Sequence, residues 1–98
     1  MDKQLHKGHR QRMRERFVLS KRDFYSFHEH EVLEMLLFFC FPQKNSNEIA
    51  HKLVNKFGSI ENVLNASSDE LCEVENISKT TAAHLKYFGA LFRYVEEG

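Results

Sequence analysis

Apolar positions along this chain recur at helical rather than strand spacing. Leu5, His9, Met13 and Phe17 lie four residues apart, which on a helix makes one narrow stripe and predicts a first helix from about Leu5 to Leu19. A loop near Ser20 to Phe27 follows. The run HEHEVLEMLLFFCF, residues 28 to 41, then predicts a second helix from about His28 to Cys40. Pro42 stops it, because the proline ring disfavours helical backbone in the residue before it. Val32, Leu33, Leu36, Leu37 and Cys40 share one face of this helix, while Met35, Phe38 and Phe39 point elsewhere. A helix apolar almost all round is either the centre of a core or a docking face for another surface.

Asn45, Ser46 and Asn47 offer capping side chains for a third helix, whose Ile49, Ala50, Leu53, Val54 and Phe57 fall on one face. Gly58 closes it, as a residue needing positive φ would. Ser59 can cap a short helix carrying Ile60, Val63 and Leu64, and Ser67 with Glu70 has capping-box spacing for another containing Leu71. The last helix starts near Ser78 or Lys79 and runs towards Val95, with Thr81, Leu85, Phe88, Phe92 and Val95 as its expected buried stripe. The expected fold is therefore all-α, a compact bundle of about five to six helices. KLVNKFGSIENVL and ELCEVENISKTTAAHL both read as helix, short loop, helix, so the bundle should contain tandem hairpins.

Composition narrows this further. A chain of 98 residues, 42% hydrophobic, with one proline and four glycines, suits one domain over residues 1–98 and leaves little room for an elaborate catalytic cleft. Cys40 and Cys72 form no closely spaced pair of the kind that binds zinc or cycles redox state, which favours a reducing compartment. The longest apolar run, Val32 to Phe41, contains Glu34 and is far too short to span a bilayer, so a cytoplasmic location with no membrane association is expected.

The net charge of zero hides a polarity. Residues 1–22, the basic N-terminal helix, hold eight Lys or Arg against Asp2 and Glu15, or +6, while residues 23–98, the bundle, hold six against twelve, or −6. Such an arm either grips phosphates or docks on an acidic surface. Arg10 and Arg14 lie one turn apart, as do Arg12 and Arg16, so a helix would present two short rows of guanidinium groups. The competing expectation is that they pair with Glu29, Glu31 or Glu34.

The hairpins suggest chemistry of the same kind. In a helix-hairpin-helix, an apolar anchor fixes a tight loop and the amides opening the second helix face outward, where they and the helix dipole hold a backbone phosphate without reading the base. In LCEVENISKTTAAHL, residues 71 to 85, Val74 and Ile77 are the anchors. Asn76 and Ser78 stand where glycine would allow closest approach; Asn tolerates left-handed backbone and Ser can cap the helix. Glu73 and Glu75 bring opposing charge, partly offset by Lys79. The first hairpin offers Lys52 and Lys56 on one face and an open turn at Gly58 and Ser59, or else an ordinary glycine cap beside solvated lysines.

HKGHRQRMRERF at 6–17, HEVLEMLLFF at 30–39, NEIAHKLVNKFGSIENVLNAS at 47–67 and the second hairpin, taken in that order, resemble the N-terminal helical region of the RadC family, bacterial proteins named for DNA repair. The resemblance covers nearly the whole chain. It implies a helix-hairpin-helix bundle that binds DNA without sequence preference. Glu75, Asn76 and Ser78 depart from the family's valine, proline, glycine, isoleucine, glycine series. Family members continue into a JAB/MPN-type domain with a metal-binding His-x-His-Pro-Ser-Gly-Asp-like motif that residues 1–98 do not contain, so the chain resembles an excised or shortened N-terminal region.

No cofactor and no catalytic residue are expected from this stretch. His28 and His30 form an H-x-H pair, but no Ser and Asp follow at metalloprotease spacing, and two residues apart on a helix their rings should diverge. The nucleic-acid-binding set is Arg10, Arg12, Arg14, Arg16, Lys52, Lys56, Gly58, Ser59, Asn76, Ser78 and Lys79. The alternative is a protein-interaction domain whose Met35, Phe38 and Phe39 dock on the C-terminal domain of a longer protein or on a homodimer partner.

Overall fold

The computed structural model describes residues 2–21, 23–41 and 45–97, with side chains from residue 8 onward. Among them lie six helices and no strand: α1 (Asp2–Leu19), α2 (Glu29–Leu37), α3 (Ser46–Phe57), α4 (Ile60–Asn65), α5 (Ser68–Cys72) and α6 (Lys79–Glu97). Leu5 and Pro42, which frame the first two predicted helices, lie outside the residues whose side chains are described.

Most boundaries follow from capping chemistry. The Asn45 side chain accepts from the Glu48 amide at 3.2 Å to open α3, and Gly58, at φ +94°, closes it by donating to the Val54 carbonyl at 2.7 Å. Ser59 Oγ accepts from the Asn62 amide to start α4. Ser67 and Glu70 exchange both bonds of a capping box at α5, at 3.1 and 3.0 Å. Ser78 Oγ accepts from the Thr81 amide at 3.2 Å, so α6 begins where expected. The second helix is shorter than its sequence suggests. Regular α geometry ends at Leu37, and residues 38–40 tighten into turns in which the Cys40 amide donates to the Leu37 carbonyl.

The core gathers Leu33 and Leu37 of α2, Ile49, Ala50 and Leu53 of α3, Val63 of α4, Leu71 of α5, and Ala82 and Leu85 of α6. Each of the fully buried leucines contributes about 1.5–3 kcal/mol relative to exposure. This makes α2 a central helix, as one of the two readings of its apolar surface required. Helix α6 crosses α4 so closely that a Cβ added at Gly89 would lie 2.9 Å from the Leu64 carbonyl oxygen. Lys86 and Arg93 hold that crossing by donating to the Ala66 carbonyl and the Asn65 side chain, each at 2.9 Å.

One expectation needs correction here. Phe92 and Val95, expected on the buried stripe of α6, are 61% and 68% exposed, since the buried positions of that helix end at Gly89. Glu34, which interrupts the apolar run of α2, is buried at 1% exposure, accepting from His9 Nε2 at 2.8 Å and Asn47 Nδ2 at 3.1 Å. Its carboxylate thus ties α1 and α3 to α2. Among the described residues no helix is long and apolar enough to cross a membrane.

Candidate nucleic-acid interface

The second hairpin has the turn that its sequence implies. Val74 and Ile77 are buried, the Ile77 amide donates to the Val74 carbonyl at 3.1 Å, and Asn76 carries φ +74°, the left-handed backbone otherwise left to glycine. Asn76, Ser78 and Lys79 are all exposed. The loop glutamates are compensated from the first hairpin: Lys56 Nζ stands 2.6 Å from Glu73, and Lys52 Nζ stands 3.9 Å from Glu75 and 3.4 Å from Glu48. Exposed pairs of this sort stabilise little, but they lower the local negative potential beside the turn. Lys52 and Lys56 therefore serve the second hairpin rather than standing clear as a phosphate site of their own.

The first hairpin differs from the open turn expected of it. Gly58 has the predicted positive φ, but the Glu29 carboxylate reaches across from α2 and accepts from the Ile60 amide at 3.0 Å, while Ser59 Oγ takes the Asn62 amide. An acidic side chain already sits at the start of α4, which is favourable for a helix N-terminus and leaves less for an external anion.

The four arginines of α1 do different things. Arg16 is a clamp: its guanidinium donates to Glu31 at 2.7 and 3.3 Å and to the Ser26 carbonyl, and lies 4.1 Å over the Phe27 ring. The Arg16 bonds hold the Glu31 carboxyl below its ordinary pKa, against the opposing effect of burial. Arg10 lies 4.6 Å over the Phe38 ring, and desolvation lowers its pKa despite the attraction of Glu34. Arg12 and Arg14 are exposed. Phe17, Phe24 and Phe27 form an aromatic cluster with centroids 4.7 to 6.4 Å apart, packing α1 against the loop before α2.

The histidines depart from expectation. His28 and His30 stack in parallel, 5° between planes at 5.7 Å, and His30 stacks on His51 of α3 at 3.9 Å. His28 precedes the first turn of α2 in extended backbone, so the helical divergence of an i, i+2 pair does not apply. Burial, and secondarily His51, lowers the pKa of His30. No cluster of three or more His, Cys, Asp or Glu suited to a metal occurs among the described residues. Sequence reasoning also missed Glu29 at α4 and the pairing of Lys52 and Lys56 across the two hairpins, both of which require tertiary contact.

Comparison with known proteins agrees with this geometry. Residues 47–90 match a family model described as a helix-hairpin-helix motif, spanning both hairpins. A UPF0758 protein of Fusobacterium nucleatum is 41% identical over 91 residues, covering 93% of this chain and 38% of that protein. A UPF0758 protein of Ruegeria pomeroyi is 31% identical over 84 residues, covering 86% of this chain and 37% of its own length. The chain thus spans less than two-fifths of either relative. No solved structure matches it. The ordered hairpins at 47–90 and the identity to UPF0758 proteins along most of this chain make it RadC-like, with a helix-hairpin-helix region.

Proposed function

We propose that the chain is a sequence-independent DNA-binding module of a RadC-like DNA repair protein, cytoplasmic and non-catalytic by itself. The observation that carries this reading is the second hairpin. Asn76 at φ +74° holds the turn that presents Ser78, Lys79 and the exposed start of a 19-residue helix, a geometry suited to one backbone phosphate. Arg14 and Arg12 on α1 supply further cationic surface. Residues 1–98 act as one folded unit in this reading, with Arg16, Lys52 and Lys56 shaping the surface through their glutamate partners.

Fluorescence anisotropy with a labelled duplex at two salt concentrations tests it. Micromolar affinity at low salt is expected, falling with salt by about 0.9 in log–log slope for each phosphate contacted. Lys79→Ala and Arg14→Ala should each weaken binding to all sequences alike. Absence of micromolar binding at low salt, or affinity unchanged in the double variant, would refute the reading.

A specific observation favours a second reading, in which the module self-associates. On α6, Tyr87, Leu91, Phe92, Tyr94 and Val95 are each at least 60% exposed, and none carries a charge, so two copies of this face would meet without repulsion. Phe39, 79% exposed and 6.2 Å from Phe88, extends it, whereas Met35 and Phe38 are half-buried. Sedimentation equilibrium should then show a dimer that Leu91→Glu dissociates. A strict monomer at high concentration would exclude a second copy, and leave a further domain of a longer protein as the partner of this face.

A further inference from the structure

Between α1 and α2 lies a groove of about 380 Å³ that the hairpin chemistry does not use. Its lining is largely aromatic, formed by Phe17, Phe24, Phe38 and Phe39 together with Met35 and Leu36. Arg10 and Arg14 line it as well, with no acidic side chain in that lining among the described residues. Phe39, 79% exposed, is held near Phe88 rather than in the core. The volume falls within the range of small-molecule pockets, roughly 300–1,000 Å³.

An aromatic trough lined also by guanidinium groups has a definite chemical complement: a flat, neutral ring attached to an anion. The rings offer faces for stacking, and the arginines offer charge one helical turn apart. A purely apolar guest would gain nothing from the guanidinium charge, and a bare phosphate would gain nothing from the rings. An unstacked nucleotide satisfies both.

Resting on the DNA-binding reading above, we propose that this groove receives a base of a single-stranded nucleic acid, with Arg10 and Arg14 on the adjoining phosphates. Bases in a duplex are stacked on their neighbours and closed to such a groove, so the site selects single strands. The hairpin start at α6 contacts backbone only and is indifferent to strandedness. The two surfaces divide the work: the hairpin holds phosphates, and the groove senses an open base. Arg10 already lies over the Phe38 ring at 4.6 Å, so a base entering beside Phe39 would extend an existing cation–aromatic stack.

The test uses the full chain and three fluorescein-labelled probes of equal length: an oligothymidine, the same backbone with abasic sites, and a duplex. The chain should prefer oligothymidine over the abasic strand by about ten-fold, the order of one stacked base. Phe39→Ala, at a position too exposed to threaten folding, should abolish that preference while leaving duplex affinity unchanged. Arg14→Ala should weaken binding to all three probes. Equal affinity for oligothymidine and the abasic strand, with duplex binding intact, would overturn the groove and leave the hairpin reading standing. Loss of binding to every probe would overturn both. Self-association removed by Phe39→Ala, without any base preference, would assign the groove to a protein surface and overturn the proposal.

Discussion

Replacing Glu34 by alanine isolates one of the contacts that fasten the basic helix to the bundle. The carboxylate is 1% exposed and accepts from His9 at 2.8 Å and Asn47 at 3.1 Å. His9 is 44% exposed, so water takes over its bond and that loss is worth about 1 kcal/mol or less. Asn47, partly buried, loses the acceptor for its amide, at a cost of about 1–3 kcal/mol. The vacated methylene volume adds about 0.8 kcal/mol per buried CH₂. Relief of carboxylate desolvation opposes these losses, leaving a net destabilisation of about 2–3 kcal/mol. Glu34→Met separates the contributions, because it refills the volume but still leaves Asn47 without its acceptor, and should recover only the packing part of the loss. Urea unfolding followed by far-UV circular dichroism measures both. At a slope near 1–1.5 kcal/mol/M the alanine variant should lose about 2 M in midpoint. A midpoint for Glu34→Ala equal to that of the parent would show that hydrogen bonding by this carboxylate does not hold α1 and α3 to α2, and the reasoning would fail.

Other consequences follow from single positions. Gly58→Ala should cost about 1–2 kcal/mol through its φ of +94° alone, since an added Cβ would meet Asn62 Nδ2 only at an ordinary 3.7 Å; a chemically synthesised chain with D-alanine there should be as stable as the parent. Gly89→Ala should be worse for a different reason: the new Cβ would lie 2.9 Å from the Leu64 carbonyl oxygen, and forcing α4 and α6 apart costs about 1–3 kcal/mol, read as a drop of several degrees in thermal midpoint. Acidification should destabilise the fold. His30 and Glu31 both have depressed pKa values in the folded state, so the unfolded chain binds more protons as pH falls, His30 contributing first, as pH drops through the ordinary histidine value, and Glu31 at lower pH. His30→Gln should flatten the upper part of that profile, and an unchanged profile would refute the assignment.

How far the sequence discloses this molecule depends on the range of the interaction that decides each feature. Caps are local, so Asn45, Ser59, Ser67 and Ser78 announce their helices, and Gly58 and Asn76 announce their positive φ. The anchors Val74 and Ile77 are legible for the same reason. The outer half of α6 is misread because its stripe continues to Val95 while its buried positions end at Gly89; periodicity shows which face is apolar, never where the partner ends. Glu34 looks like a break in an apolar run because burial of a carboxylate depends on His9 and Asn47, 25 and 13 residues away. The groove is hidden altogether: Phe17, Phe24 and Phe39 belong to three different segments, and only the docking of α1 on α2 sets them around one space.

The same distinction governs the candidate interface. Read as a linear charge pattern, Glu73 and Glu75 argue against a phosphate at the second hairpin, while Lys52, Lys56 and the open turn at Gly58 argue for one at the first. Folding exchanges these roles. The lysines of the first hairpin stand against the glutamates of the second, and Glu29 from α2 occupies the Ile60 amide of the first. Charge that would repel a polyanion is thereby compensated at the longer helix, and charge that would attract one is withdrawn from the shorter. The asymmetry has a physical basis, since α6 has 19 residues and α4 only 6, and a longer run of aligned peptide dipoles sustains a stronger field at its first turn. Two hairpins of similar rhythm thus become one scaffold and one candidate contact, a division that rests on three side chains reaching between elements.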